Sequence, residues 1–556
     1  MSDSALAQRF FHPFLEDPGD GDPLPGTWQP KTLSELRMCS LSAHIRQKPN
    51  WWEKMRDETI RSKWIREAKE QQAEHPRWEQ LTDNMLNYVM SELNGYAMLR
   101  DAKTGIESGP YERIFLSDTL IPEDLTTALK LAVKPLEDVP ESNKDCHPGS
   151  DGRVLDLVHP SICPLVFYET WGTDDDGKVT IFKAPESCDV DISFLFISER
   201  FQWLPSDFSI NKDGAVKLES PYINNISPNH HDALVPVIEQ VMQCAVPLWE
   251  RVLSSLRNDP VPARVIHTAT DGIPCIWSGG AKKLLDSADE THRDQDYDGW
   301  LEGRLNSGSL VLPEAHAEYR DMLKGDLTVT LSKSTIQVIV KPANIVLTPE
   351  KPEYPGGIWH VEGMATESIV STFVYYYESD NIEACDLSFR NATEAPHYHE
   401  QDDSLCIKIL YGISLIFRIA RDEPCIQDIG SVETKAGRSI AFPNLYQHRV
   451  SPFKLSDPTK PGVRKILVFF LQLKTVKHTL RSQGPSSRLS FLPVELLDYI
   501  ATLVPGVKSR AQAEVVRGEL MKERSILIKN VETEFFEREF NVQPVVSLLF
   551  VIDALV

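Results

Sequence analysis

Gly357-Ile358-Trp359-His360-Val361-Glu362-Gly363, read together with His448 and Arg464, constrains this chain more than any other stretch. His360 and Glu362 stand two residues apart, a spacing that sends both side chains to one face of an extended strand. With His448 as a third ligand, two imidazoles and one carboxylate would share one side of a metal and leave the opposite positions open. Arg464, sixteen residues beyond His448, adds a planar fork shaped for a carboxylate.

A lone His-x-Glu is ordinarily an exposed strand pair, and it is the neighbouring sequence that raises this one. Ile369–Tyr377 is rich in β-branched and aromatic residues and reads as a strand. His448 follows Ser439–Asn444 and opens the extended run Arg449–Phe453. Arg464 opens Lys465–Leu471, whose apolar run reads as a buried strand. Val329–Leu331, Ile336–Val340, Asn344–Leu347, Leu405–Leu410 and Ile413–Ile419 add further strands, about eight in all, enough to close a barrel around a pocket.

The order His-x-Glu, His, Arg resembles the Fe(II)/2-oxoglutarate-dependent dioxygenases. Longer phrases narrow the likeness. Gly357–Met364, Tyr375–Ile382, Pro443–Phe453, Phe201–Pro205 and Tyr222–Asn225 resemble the mainly fungal "domain of unknown function 4246" family. The resemblance spans about Leu24 to Lys474, with a further patch at Leu520–Phe540. It implies a double-stranded β-helix (jelly-roll, cupin-like) barrel, with iron held by His360, Glu362 and His448. It further implies 2-oxoglutarate as cosubstrate, its far carboxylate on Arg464. Glutamate stands where aspartate is commoner, which lengthens the reach by a methylene and keeps the charge.

Composition limits the partners. Lys and Arg number 58 against 81 Asp and Glu, a formal charge of −23, which disfavours nucleic acid and anionic membranes and fits a small-molecule substrate. Nine scattered cysteines without a Cys-x-x-Cys pair predict reduced thiols. With neither a secretory leader nor an apolar run of membrane-spanning length, the expected location is the cytoplasm, or else the nucleus.

In order, residues 1–30 are Pro-, Gly- and Asp-rich and predict a flexible arm. Residues 31–315 form a mixed α/β region expected to pack on the barrel, 316–474 the barrel itself, and 475–556 a linker with helices, so the fold class is α+β. Helices are expected within Thr32–Glu92, over Asp124–Val133 and Leu234–Leu256, and over Glu514–Phe540. Between them 150–230 is extended, with a hairpin turn at Asp213-Gly214. Trp51, Trp52 and Trp64 read as core rather than a ligand cage, and His230-His231 as a helix-start cluster. The acidic stretch 284–299 reads as exposed. His397, His399 and Asp402 also offer metal-binding atoms, but in a polar loop, and are read as lying behind the metal ligands or in a substrate loop rather than as ligands themselves.

The C-terminal part departs from the family: Leu473–Leu489 is basic and Ser-rich, and Val545–Val556 is apolar. Two other classes stay open. One is a non-catalytic barrel acting as an interaction module, whose 491–504 segment begins Leu492-Pro493-Val494-Glu495-Leu496-Leu497 like an F-box helix. The other is a cupin-like metal enzyme without 2-oxoglutarate, in which Arg464 is structural.

Overall fold

The computed structural model describes residues 30–75, 79–141, 144–173, 179–184, 197–220, 223–226, 231–258, 261–266, 313–319, 325–393, 424–472, 496, 499, 510–531 and 536–537. Its helices are α1 (Leu33–Arg46), α2 (Trp51–Lys54), α3 (Glu58–Gln72), α4 (Asp83–Leu99), α5 (Glu123–Glu137), α6 (Leu234–Arg257) and α7 (Arg510–Val531). The longer strands are β1 (Phe115–Ser117), β2 (Val154–Asp156), β3 (Ser206–Ile210), β4 (Val216–Leu218), β5 (Ser334–Leu347) and β6 (Ile369–Asp380). They continue with β7 (Asp386–Ala392), β8 (Ile426–Glu433), β9 (Ser439–Pro443), β10 (Gln447–Val450) and β11 (Gly462–Gln472).

Two antiparallel sheets position everything else. The larger runs Glu107–Ser108, β1, β9, β6, β11, β5, β3, β4, with β2 also on β5. The smaller runs β8, β7, β10. The larger sheet is apolar on both faces, which explains the unbroken run Leu467–Leu471. Leu467, Phe469 and Leu471 pack with Trp249 and Val252 of α6, while Val468 and Phe470 face Leu387 and Phe389 of the smaller sheet. Helix α6 buries Val241, Ala245, Leu248, Trp249 and Val252, residues that recur at helical spacing along one stripe. Side chains of both sheets thus share one core, and the candidate site lies at its edge.

Local sequence accounts for the element ends. Thr32, Asp57 and Thr82 accept backbone N–H groups at the starts of α1, α3 and α4. The β3–β4 hairpin turns through Gly214 at φ +85°. Trp51 and Trp64 are buried, as core residues should be.

Two expectations change. Ile336–Val340 and Asn344–Leu347 are one strand, β5, pairing with β11 without interruption from Gln337 to Leu347. Pro342 is tolerated inside it because its carbonyl accepts the N–H groups of Leu157 and Val158 at the margin of β2, where no donor is required of it. Val329–Leu331 is not a strand; its amides instead bond Ser254 Oγ and Glu250 Oε1 of α6. Cys39, Cys146, Cys244 and Cys385 are free thiols. No helix of the described residues is long and apolar enough to cross a membrane. The acidic stretch 284–299, the strands expected over 405–419, the His397/His399/Asp402 loop and the apolar end lie outside the described residues. Of the 491–504 segment only Leu496 and Tyr499 are described, and both side chains are exposed.

Candidate metal centre

His360 and His448 come together through the backbone. His360 N–H donates to the His448 carbonyl at 3.3 Å and His448 N–H returns the bond at 3.0 Å, an antiparallel pair that places the rings 4.5 Å apart. Farther along the same ladder Gly357 N–H donates to the Val450 carbonyl at 2.9 Å.

Glu362 then faces both imidazoles. Its Oε1 lies 3.6 Å from His360 Nε2 and 3.4 Å from His448 Nε2. Burial alone would raise its carboxyl, but the two imidazoles more than offset this and hold it far below the ordinary range. Burial likewise opposes charge on both rings. Glu362 overcomes it at His360, which is raised, while His448 is lowered by burial and by His360 beside it.

The donor set fits a divalent metal. His360 Nδ1 lies 2.9 Å from the Ile358 carbonyl, so Nδ1 carries a proton and Nε2, facing Glu362, is the nitrogen left to bind a metal. Bonds of about 2.1 Å to a shared metal separate neighbouring ligand atoms by about 3 Å, so a modest contraction completes the set.

Residues not singled out by sequence hold this geometry. Asn444, fully buried, accepts from Glu362 N–H at 2.8 Å and donates to the Glu362 and Ile369 carbonyls. Gly363 turns the chain at φ +70°, and an added Cβ would lie 2.8 Å from Ile369 Cδ1. Glu367 then accepts from Met364 N–H, from Trp203 N–H at 2.8 Å and from Arg524 of α7. An asparagine four residues before His448 and a glycine directly after Glu362 were the available signals.

Arg464 lies at the start of β11, only 1% exposed. Its Nη1 donates to Cys385 Sγ, its guanidinium lies 4.2 Å from the Phe453 ring, and its Nε has no partner. Among the described residues it forms no ion pair.

A second cluster has similar composition. His147, Asp156 and His159 also bring their polar atoms within 4.8 Å of one another. Here, however, His159 Nδ1 accepts the Ser161 N–H at 3.0 Å, so Nε2, the nitrogen 3.6 Å from Asp156, carries the proton and has no lone pair to give. Burial pushes His159 down to about 3 despite Asp156 beside it, and Lys341 and Arg517 add positive charge that repels a cation. This cluster is unsuited to a metal.

Fold and site together define a mixed α and β protein, with antiparallel sheets carrying a candidate His/Glu/His metal cluster. The chain belongs to the family of proteins of unknown function DUF4246, whose model matches residues 83–472, and the family's N-terminal domain matches residues 3–67. Similar solved structures include a bsmA homolog from Methylobium petroleophilum PM1, at 9% identity and TM-score 0.25, covering 65% of this chain and 88% of that one. The Fe(II)/(alpha)ketoglutarate-dependent dioxygenase TqaL matches at 10% identity and TM-score 0.23, covering 77% of this chain and 91% of that one. IDO from Bacillus thuringiensis matches at 12% identity and TM-score 0.15, covering 25% and 46%. No curated protein matches.

Proposed function

We propose that this protein is an Fe(II)- and 2-oxoglutarate-dependent oxygenase acting on a small molecule, its two sheets forming a double-stranded β-helix. The observation that carries the reading is the convergence of His360 Nε2, His448 Nε2 and Glu362 Oε1 within one metal's reach. The sheet orders support the fold, since the His360–His448 pair adds the motif segment to the edge of the β8, β7, β10 sheet, opposite the larger one.

His360, Glu362 and His448 would hold the iron on one face. When bound, iron with dioxygen and 2-oxoglutarate supplies oxidation of a substrate C–H bond, coupled to release of succinate and carbon dioxide. The chain's own part is placement and exclusion of water. The Ile358 carbonyl fixes the His360 ring and Asn444 fixes the Glu362 backbone. Phe389 and Phe442 wall His448 with apolar surface. Arg464, buried and without a carboxylate among the described residues, takes the far carboxylate of 2-oxoglutarate.

The test is calorimetric titration of 2-oxoglutarate into the full chain loaded with Mn(II), followed by succinate measurement with Fe(II) under air. The expected result is one cosubstrate per metal and succinate formation that His448→Ala abolishes. Metal binding without any 2-oxoglutarate binding would move the protein to the cupin-like class.

A further inference from the structure

Beside the candidate metal centre lies a second concentration of polar atoms that the proposed chemistry does not use. Asp156 Oδ1, His159 Nε2, Arg517 Nε and Arg517 Nη2 are all buried without a hydrogen-bond partner. Asp156 and His159 are each only 3% exposed. Buried polar atoms are rarely left unpaired, and four together mark a place where something should bind.

The sheet register adds a fifth group. Along β5, Val338 and Val340 pack toward α6 while Ile339 faces the smaller sheet, so alternation sends Lys341 to the Ile339 side. Ala343, two residues on and on that same face, pairs with Asp156 of β2. Lys341 and Asp156 are therefore neighbours on the face that carries the candidate site. The half-buried Lys341 side chain forms no hydrogen bond or ion pair among the described residues. Its charge acts on Asp156 and His159 and, more weakly, on His360, so it lies near both clusters.

The cluster is richer in donors than in acceptors. Arg517 spends Nη1 on Asp145 and lies 4.0 Å from Asp156 through Nη2, leaving its Nε and Nη2 edge unbonded. Lys341 brings an ammonium, and His159 a ring N–H. Against these stands the single free oxygen of Asp156. A ligand that satisfies them must bring acceptors, and two flanking cations favour a negative one. His147, its side chain 35% exposed, borders the cluster on the solvent side.

We propose that Lys341, Arg517 and His159 form a carboxylate-binding subsite beside the metal centre, which holds the acid group of the substrate while Arg464 holds that of the cosubstrate. The assignment rests on the reading of His360, Glu362 and His448 as the metal centre. It makes α7, beyond the 83–472 family match, part of the substrate site.

The probes are acetate, benzoate and inorganic phosphate, titrated calorimetrically into the Mn(II)-loaded full chain saturated with 2-oxoglutarate. The proteins are wild type, Lys341→Met, Arg517→Met and Arg464→Met. Benzoate or acetate should bind the wild type more tightly than phosphate does. Lys341→Met and Arg517→Met should each weaken that binding tenfold or more while leaving 2-oxoglutarate affinity within about twofold. Arg464→Met should show the reverse. Should Lys341→Met fail to fold, Lys341→Gln replaces it and should weaken carboxylate binding likewise, since it removes the charge and keeps a polar side chain. Failure of any carboxylate to bind the wild type, or equal binding to wild type and Lys341→Met, overturns the subsite. Loss of 2-oxoglutarate rather than benzoate in Lys341→Met overturns it too, by placing the cosubstrate on Lys341. If 2-oxoglutarate does not bind the wild type, the oxygenase reading fails, and the carboxylate titration repeated without it still decides the subsite.

Discussion

Replacing Arg464 by methionine should make the ligand-free protein more stable and deprive it of its response to 2-oxoglutarate. A guanidinium that is 1% exposed and lacks a carboxylate carries a desolvation penalty of several kcal/mol. The Phe453 ring at 4.2 Å offsets about 0.5–2 kcal/mol of it, and the bond to Cys385 Sγ about 1 kcal/mol more. A net liability of about 1–3 kcal/mol is left, which methionine removes while filling much of the same space. For a chain of 556 residues the melting temperature without ligand should therefore rise by about 1–3 °C. Saturating the Mn(II)-loaded wild type with 2-oxoglutarate at a hundred times its dissociation constant should add about 2.7 kcal/mol, and the variant should gain almost none of it. Differential scanning calorimetry of both proteins, each with and without 2-oxoglutarate, reads all four quantities. A variant that melts below the wild type without ligand, yet shifts as far with it, would show that Arg464 is a structural cation and refute the reasoning.

Other expectations follow from the same geometry. His448→Ala should lose bound metal by elemental analysis, whereas His147→Ala should keep it, because His360 turns a metal-binding nitrogen inward where His159 turns an N–H. Gly363→Ala should cost about 1–3 kcal/mol by urea unfolding and weaken metal binding, since φ +70° and the 2.8 Å approach to Ile369 both oppose a side chain. Stability should fall as pH drops from about 6.5 toward 3, because His159 takes up its proton in the unfolded chain while burial holds it neutral in the folded one. That loss is up to about 2 kcal/mol by pH 5, and His159→Gln should flatten this part of the urea-midpoint profile, an unchanged slope arguing against a buried neutral imidazole.

Much of the fold was legible because periodicity and burial agree. Helix α6 shows its stripe openly, and β11 announces itself by an apolar run that only a strand buried on both faces requires. His360 and Glu362 could be paired from their spacing alone. His448 could be linked to them only through the family phrase, since their meeting depends on a backbone ladder between segments far apart in sequence. The continuity of β5 was hidden by Pro342, whose missing donor matters only once the neighbouring strand is known. Asn444, Lys341 and Arg517 were illegible for a related reason. Each takes its meaning from what it faces, and a polar residue in a strand or a charged helix gives no sign of which way that is.

The two His/carboxylate/His clusters show why composition cannot decide where a metal binds. Both place their ligand-type atoms within the same 4.8 Å. The difference lies one bond farther out, at the second ring nitrogen. Beside Ile358 that nitrogen meets a carbonyl oxygen and must donate, which leaves the inward nitrogen of His360 with its lone pair. Beside Ser161 it meets an N–H and must accept, so the inward nitrogen of His159 carries the proton. Local charge then follows the tautomer: Glu362 faces imidazoles that can share a cation with it, whereas Asp156 is already surrounded by Lys341, Arg517 and His147. In the proposed enzyme the first cluster would receive a positive ion and the second a negative group, so that a substrate acid held by the second would stand near the metal held by the first.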